Sequence, residues 1–267
     1  MLKKLGMLFS WLILFMACAS GPFVSDGTIS PSFLFTAPRE GELVFLGVAG
    51  KRSSHKETLK YALEDAARRV AIFNRVSGEY EVESSMGAGI FGISNNPPRT
   101  DLDYDKDNVE VYVDRLNYNA ENKSDTIEVD KTVFIRTTYP GALPFPINYR
   151  PTYSLKDKKP SWVDNPNVVI QGYEVGIGYS WRQSSPYRTW INSYNNAVFS
   201  IIKNINFYVR SEFVIYQNTG DLFGNTNSTN KNTTYSSGTL YGFYILDAWM
   251  DPATKAVWTL AIARKAQ

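Results

Sequence analysis

The sequence predicts an α+β chain of two tandem β-α-β-β-β modules, each one amphipathic helix packed on an antiparallel-rich sheet. Three observations carry that expectation. A glycine-bearing strand pattern occurs twice, as ELVFLGVAGKRSS at 42–54 and as GYEVGIGYSWRQSSP at 172–186. Each copy runs into an apolar stripe at helical spacing and then into alternating, strand-like runs in the same order. Between the copies stand Pro140, Pro144, Pro146, Pro151, Pro160 and Pro166, a density that helix and sheet interiors exclude.

In the first copy Leu59, Ala62, Leu63, Ala66, Val70 and Phe73 recur at three- and four-residue spacing. Ser54, with Glu57 three residues on, is a capping-box pattern. In the second copy Trp190, Tyr194, Ala197, Ile201 and Ile205 form the stripe. Ser185 is its candidate N-cap, and Pro186 falls at the first helical position, where a missing N–H costs nothing. Strands are expected at 77–85, 108–119 and 126–138 after the first helix. Their counterparts are 206–216, 239–250 and 255–264. A constant offset of 129 pairs Gly47 with Gly176, Tyr61 with Trp190, Ile72 with Ile201 and Glu83 with Glu212. The polar stretch after the first strand of each set reads as a loop, the second of them the Asn/Thr-rich run 217–239.

The domain order that follows is a signal peptide at 1–17, an extended leader at 18–40 and a first module at 41–139. A Pro-rich linker at 140–169 and a second module at 170–267 complete it. Phe145, Tyr149, Tyr153 and Trp162 give the linker side chains that can pack, so it reads as a strap rather than a loose tether.

Composition narrows the function. Hydrophobic residues make up 43% of the chain, enough for real cores, and the net charge of +2 comes without a Lys/Arg block. Nucleic acid therefore has no electrostatic footprint here. The 17 Tyr, 15 Phe and 6 Trp favour half-solvated β-structure.

The N-terminus reads as an address. Lys3 and Lys4 precede an apolar run from Leu5 to Met16, too short for the ~20 residues that span a bilayer and matched to a signal-peptide core. Cys18 is the only cysteine, so no disulfide competes for it. Ala17 before it, and Ala19 and Ser20 after it, make FMACASG resemble the lipobox of bacterial lipoproteins. In that family cleavage falls before the cysteine, here between Ala17 and Cys18, and the thiol is lipidated. The position three before the cysteine is Phe15, where Leu is usual. A plain secretory signal and an uncleaved anchor are the competing readings. Two or three acyl chains on one residue anchor stably where one is marginal.

Candidate chemistry is sparse. His55, the single histidine, falls in the first turn of the first helix, and a triad needs a nucleophile and an acid beside it. Asp101, Asp103 and Asp105 alternate in RTDLDYDKDN as oxygen ligands for a weak calcium site could. An EF-hand, however, needs Gly and Glu where Lys106 and Tyr112 stand. GVAG and GIG give neither GxGxxG nor a Walker lysine, and read as close approach of a helix to a strand. No catalytic residue, metal or cofactor is assigned.

The pattern KPSWVDNP, then GYEVGIGYS, then an Ala-bearing helix, resembles the twenty-kilodalton outer-membrane lipoprotein family of bacteria. It is similar also to the N-terminal domain of flagellar assembly protein T. Pro160, Trp162, Gly176 and Gly178 carry the likeness in the second copy; Gly47, Ala49, Ala62, Ala66 and Ala67 carry it in the first. The second copy departs at NSYNN, where alanines are usual. The resemblance implies an envelope lipoprotein with an α+β module and no catalytic residues. The expected function is a non-enzymatic lipoprotein held in the cell envelope, toward the outer membrane, through Cys18. It would bind an envelope protein partner, an open sheet edge offering strand addition, or act as a surface-exposed ligand-binding or adhesive lipoprotein.

Overall fold

Both expected helices form, and with the same length. A computed structural model describes residues 29–38, 41–87, 93–95, 99–119, 123–205, 208–217 and 226–264. Cys18 and its surroundings lie outside the described residues, as does the 218–225 part of the Asn/Thr-rich run. The chain is mixed α and β with antiparallel sheets.

A short helix α1 (Pro31–Leu34) leads into β1 (Glu42–Gly50), α2 (His55–Asn74), β2 (Val76–Gly87), β3 (Ile93–Asn95) and β4 (Arg99–Tyr104). Helix α3 (Val109–Arg115) and the hairpin β5 (Thr126–Val129) and β6 (Thr132–Pro140) close the first half. After α4 (Ser161–Asp164) come β7 (Tyr173–Ser180), α5 (Pro186–Ile205), β8 (Tyr208–Gln217), β9 (Thr226–Leu240), β10 (Tyr244–Met250) and β11 (Val257–Arg264). One three-stranded sheet runs β1-β6-β5 and another β7-β11-β10, so both halves place the last strand beside the first. The third sheet mixes the halves: β2 carries β3 and β4 on one side and pairs along the other with β9, which pairs with β8.

The two long helices and their flanking residues line up at an offset of 131 rather than 129. His55 maps onto Pro186 and Asn74 onto Ile205, and Ser54, the cap of α2, maps onto Ser185. At this offset local contacts repeat. The Arg52 N–H donates to Thr58 Oγ1 at 3.0 Å, and the Gln183 N–H to Thr189 Oγ1 at 2.9 Å. Gly47 matches Gly178. A Cβ on Gly47 would stand 2.0 Å from the Ala62 carbonyl oxygen, and one on Gly178 1.9 Å from that of Ser193. Each helix thus lies backbone-close on its strand, which only glycine permits. The offset of 129 was misled by Gly176, two residues too early.

The capping box forms by halves. Ser54 Oγ accepts the Glu57 N–H at 3.1 Å, but the Glu57 carboxylate accepts from Ser53 Oγ rather than reaching back to the cap.

Five expectations change. Residues 108–119 hold helix α3, not a strand. Their Val-Glu-Val-Tyr-Val alternation suits a strand, but tertiary contacts override it. Tyr112 and Leu116, four apart, pack on the core together, and Tyr112 stands edge-on to Tyr139 at 6.3 Å. Asp105 holds the turn before α3, accepting from the Asn108 N–H and Nδ2. Second, residues 126–138 are a hairpin rather than one strand, turning on Asp130 and Lys131 with φ of 48° and 60°. Third, 239–250 is broken at Gly242, with φ of 65°, into β9 and β10. Fourth, the polar stretches are not loops throughout. β3 and β4 occupy the first, and Thr226–Leu240 is a strand lying between β2 and β8. Its Thr residues suit a pleated backbone, and ladders on both sides replace the missing apolar pattern. Fifth, residues 29–38 are not an extended leader clear of the body. Ile29, Phe33 and Leu34 are buried, and Arg136 donates to the Ser32 and Phe35 carbonyls.

The core joins the halves. Leu43, Phe45 and Val70 pack in one cluster with Trp162, Tyr244, Leu246 and Ile262. Phe134 of β6 meets Trp190 of α5 edge-on at 4.8 Å. The Pro-rich stretch packs on the body of the fold. Trp162 is fully buried and its Nε1 donates to Asp247 Oδ2 at 2.8 Å, while the Tyr153 hydroxyl donates to the same oxygen at 3.0 Å.

Candidate ligand-binding cleft

The sheet edges decide where a site can form, because an unpaired edge is the simplest place for a partner to add a strand. The outer edge of β7 is closed by its own helix. Asn196, Ser200 and Asn204 recur every four residues on α5. Asn196 Nδ2 donates to the Tyr179 carbonyl at 2.6 Å, Ser200 Oγ accepts from the Ile177 N–H at 3.3 Å, and Asn204 Nδ2 donates to the Val175 carbonyl at 3.2 Å. On β1 the same task falls to Asp65, the counterpart of Asn196, whose Oδ2 accepts the Val48 N–H at 3.1 Å. The Tyr244 hydroxyl meets both the N–H and the carbonyl of Val44, at 3.1 and 2.9 Å. The β10 edge is covered by the leader, where the Thr36 N–H donates to the Leu246 carbonyl at 2.9 Å.

Beside these covered edges a polar cleft of about 860 Å³ lies between α2 and α5, comparable in size to the groove of about 900 Å³ between α2 and α3. That volume falls in the range of about 300–1,000 Å³ usual for small-ligand sites. Helix α2 contributes Asp65, Arg68 and Arg69 to one wall; α5 contributes Asn192, Asn195, Asn196 and Phe199 to the other. The end of β7 and the turn after it add Tyr179, Trp181 and Gln183, and the end of β4 adds Leu102, Tyr104 and Lys106.

The charges differ in availability. Asp65 and Arg69 are buried, and Arg69 Nη2 donates to both carboxylate oxygens at 3.2 and 3.3 Å. The Arg69 guanidinium lies 4.2 Å over the Tyr194 ring. Burial raises the Tyr194 hydroxyl above its ordinary pKa, so it stays protonated. Arg69 and Asp65 are therefore spent within the fold. Arg68 is half-exposed, with Glu64 3.7 Å away, and Lys106 is exposed. The charge open to a ligand is cationic. Trp181 is 69% exposed and stands edge-on to Tyr179 at 5.1 Å.

The residues singled out from the sequence lie elsewhere. His55 is exposed in the first turn of α2, rimming a separate groove between α2 and α3. Asp101 and Asp103 sit on β4, opposite Glu79 and Ser77 of β2, while Asp105 faces the turn before α3. Among the described residues no three of His, Cys, Asp and Glu stand together as metal ligands do. No helix among them is long and apolar enough to cross a membrane.

Sequence reasoning missed the cleft. Its signal was nonetheless present: NSYNN, noted as a departure from alanine, puts Asn192, Asn195 and Asn196 at helical spacing off the apolar stripe. Asp65 and Arg69 gave no such signal, being an ordinary i,i+4 pair until burial is known. Set against known protein families, characterised proteins and solved structures, the chain matches none of them.

Proposed function

We propose that this chain is a non-enzymatic lipoprotein of the cell envelope, anchored through Cys18, whose folded part binds a ligand in the cleft between α2 and α5. The anchor rests on the lipobox-like FMACASG and the short apolar run before it. The binding role rests on the cleft: accessible aromatic, carboxamide and cationic side chains line it, and its one buried acid is consumed by Arg69 and Val48. General acid–base work needs a titratable group within reach of substrate. In the cleft the accessible groups are Lys106, amides and Arg68, which Glu64 approaches at 3.7 Å, and these suit binding.

We propose further that the two halves are copies of one β-α-β-β-β-type module. The shared offset of 131, the equivalent bonds that Thr58 and Thr189 accept from the preceding turns and the like strand orders support it. The likeness to the small outer-membrane lipoproteins belongs to the same reading. A structural, partner-binding role stays compatible, with the cleft rather than the edges of β1, β7 or β10 as the contact face.

The test separates anchor from cleft. The tagged chain and a Cys18→Ala version are expressed in a Gram-negative host, and intact cells are crosslinked. The lipidated form is expected in the outer-membrane fraction, labelled by a radioactive fatty acid, and the variant in the soluble fraction. Equal membrane retention of both forms would overturn the anchor.

A further inference from the structure

The cleft's chemistry narrows its ligand. From the free aromatic face of Trp181, the unspent carboxamides of α5 and the cationic rim, we propose that the cleft binds an acidic oligosaccharide. This rests on the reading of the cleft as the binding site.

Trp181 comes first. A large aromatic side chain that is 69% exposed at a cleft mouth is apolar area the fold has left uncovered. A sugar ring offers one face of C–H groups that an aromatic plane covers, while its rim of hydroxyls stays free to hydrogen-bond. Each hydroxyl both donates and accepts, and a carboxamide offers both functions from one planar group. Asn192 and Asn195 present two such groups one turn apart on α5, and no hydrogen bond among the described residues engages either. Gln183 keeps its carbonyl oxygen, its Nε2 being donated to the Trp181 carbonyl at 3.1 Å.

Charge gives the ligand its sign. Among the described residues Asp65 is the one acid of the cleft lining, and it is buried and paired; Arg68 and Lys106 are not buried. A carboxylate on the sugar would meet the exposed Lys106 and compete with Glu64 for the half-exposed Arg68. A guanidinium also matches a carboxylate fork.

An extended peptide is the competitor, and the wall strand argues against it. Peptides held beside a sheet take main-chain hydrogen bonds from a free edge. Along the cleft the outer edge of β7 is spent on Asn196, Ser200 and Asn204. Strand β4 contributes only Leu102 and Tyr104 to the lining.

The test uses the full lipidated chain in detergent, titrated calorimetrically with tetragalacturonate, with cellotetraose as the neutral comparison and an unstructured acidic peptide as the competitor class. Tetragalacturonate is expected to bind, to bind more weakly as salt rises, and to lose about tenfold in affinity with Trp181→Ala. Arg68→Gln is expected to weaken it several-fold and to narrow its lead over cellotetraose. Asn192→Ala with Asn195→Ala, which removes no buried contact, guards against a folding defect in the Trp181 variant, and circular dichroism is recorded for each. Binding of the peptide but not the tetrasaccharide overturns the proposal, as does equal binding of the neutral sugar. A photo-crosslinker at position 181 in cells separates the two levels. A captured protein, with no sugar bound, removes the saccharide and leaves the cleft as a binding site; an empty crosslinker with no sugar bound removes both.

Discussion

Asp65 and Asn196 stand at the same position along α2 and α5 and each closes the edge of the strand its helix packs on. Asp65 accepts the Val48 N–H on β1, and Asn196 donates to the Tyr179 carbonyl on β7. One is an anion that receives a proton donor; the other is a neutral amide that supplies one. The anion is affordable because Arg69 lies one turn on and is buried with it. The amide remains exposed and needs no partner charge.

The two positions should therefore differ sharply when truncated. Asp65→Ala strands a buried guanidinium and a backbone N–H, and should cost about 3–5 kcal/mol. Asn196→Ala gives up one solvent-accessible hydrogen bond and should cost about 1 kcal/mol. Urea unfolding of both variants measures the difference. Equal costs would mean that the Asp65–Arg69 pair is not buried in solution.

Close helix–strand approach predicts an intolerant glycine. Gly178→Ala drives a methyl against the Ser193 carbonyl, 1.9 Å away, and the backbone must yield. The loss should reach or exceed the upper end of the ~1–3 kcal/mol usual for overpacking. Gly238→Ala is the control, its nearest neighbour being the Ile202 methyl at 3.6 Å. It should unfold near the wild-type midpoint.

The strap over β10 should make stability depend on pH. Asp247 is fully buried, and burial pushes its carboxyl up to about 7 despite the donors of Trp162, Tyr153 and Ala248, which favour the charged form. A carboxyl raised in the folded state stabilises while protonated in both states, below its ordinary 3.8. That contribution is lost as pH rises through about 7. Melting temperature should therefore fall across this window by the equivalent of a few kcal/mol at most. Asp247→Asn should flatten that slope, at the cost of one acceptor. A variant with the wild-type slope would exclude Asp247 as its source.

The Tyr244 hydroxyl is the stitch between halves, meeting Val44 of β1 and the Thr36 carbonyl of the leader. Tyr244→Phe keeps the ring and leaves the Val44 N–H buried and unpaired, a loss of about 1–3 kcal/mol. Hydrogen exchange should quicken at Val44 and Thr36 first. Protection unchanged at both would show that the stitch does not hold.

Two helices, the Ser54 cap, and the strands β1, β2, β7, β8 and β11 were legible from residues alone, because periodicity and capping act between near neighbours. Thr58 and Thr189 repeat the same short-range bond for that reason. What residues near in sequence could not convey was pairing at a distance. The polar run ending at Leu240 becomes a strand only because β2 and β8 flank it, and Val109–Arg115 becomes a helix only because Tyr112 and Leu116 find the core together. The cleft belongs to the same class. Its walls come from α2 and α5, more than a hundred residues apart, and Asp65 is a spent charge rather than a free one only when burial beside Arg69 is known. Local propensity thus determined the elements of this protein. Long-range burial decided which edges are closed, which charges are consumed and where a ligand can enter.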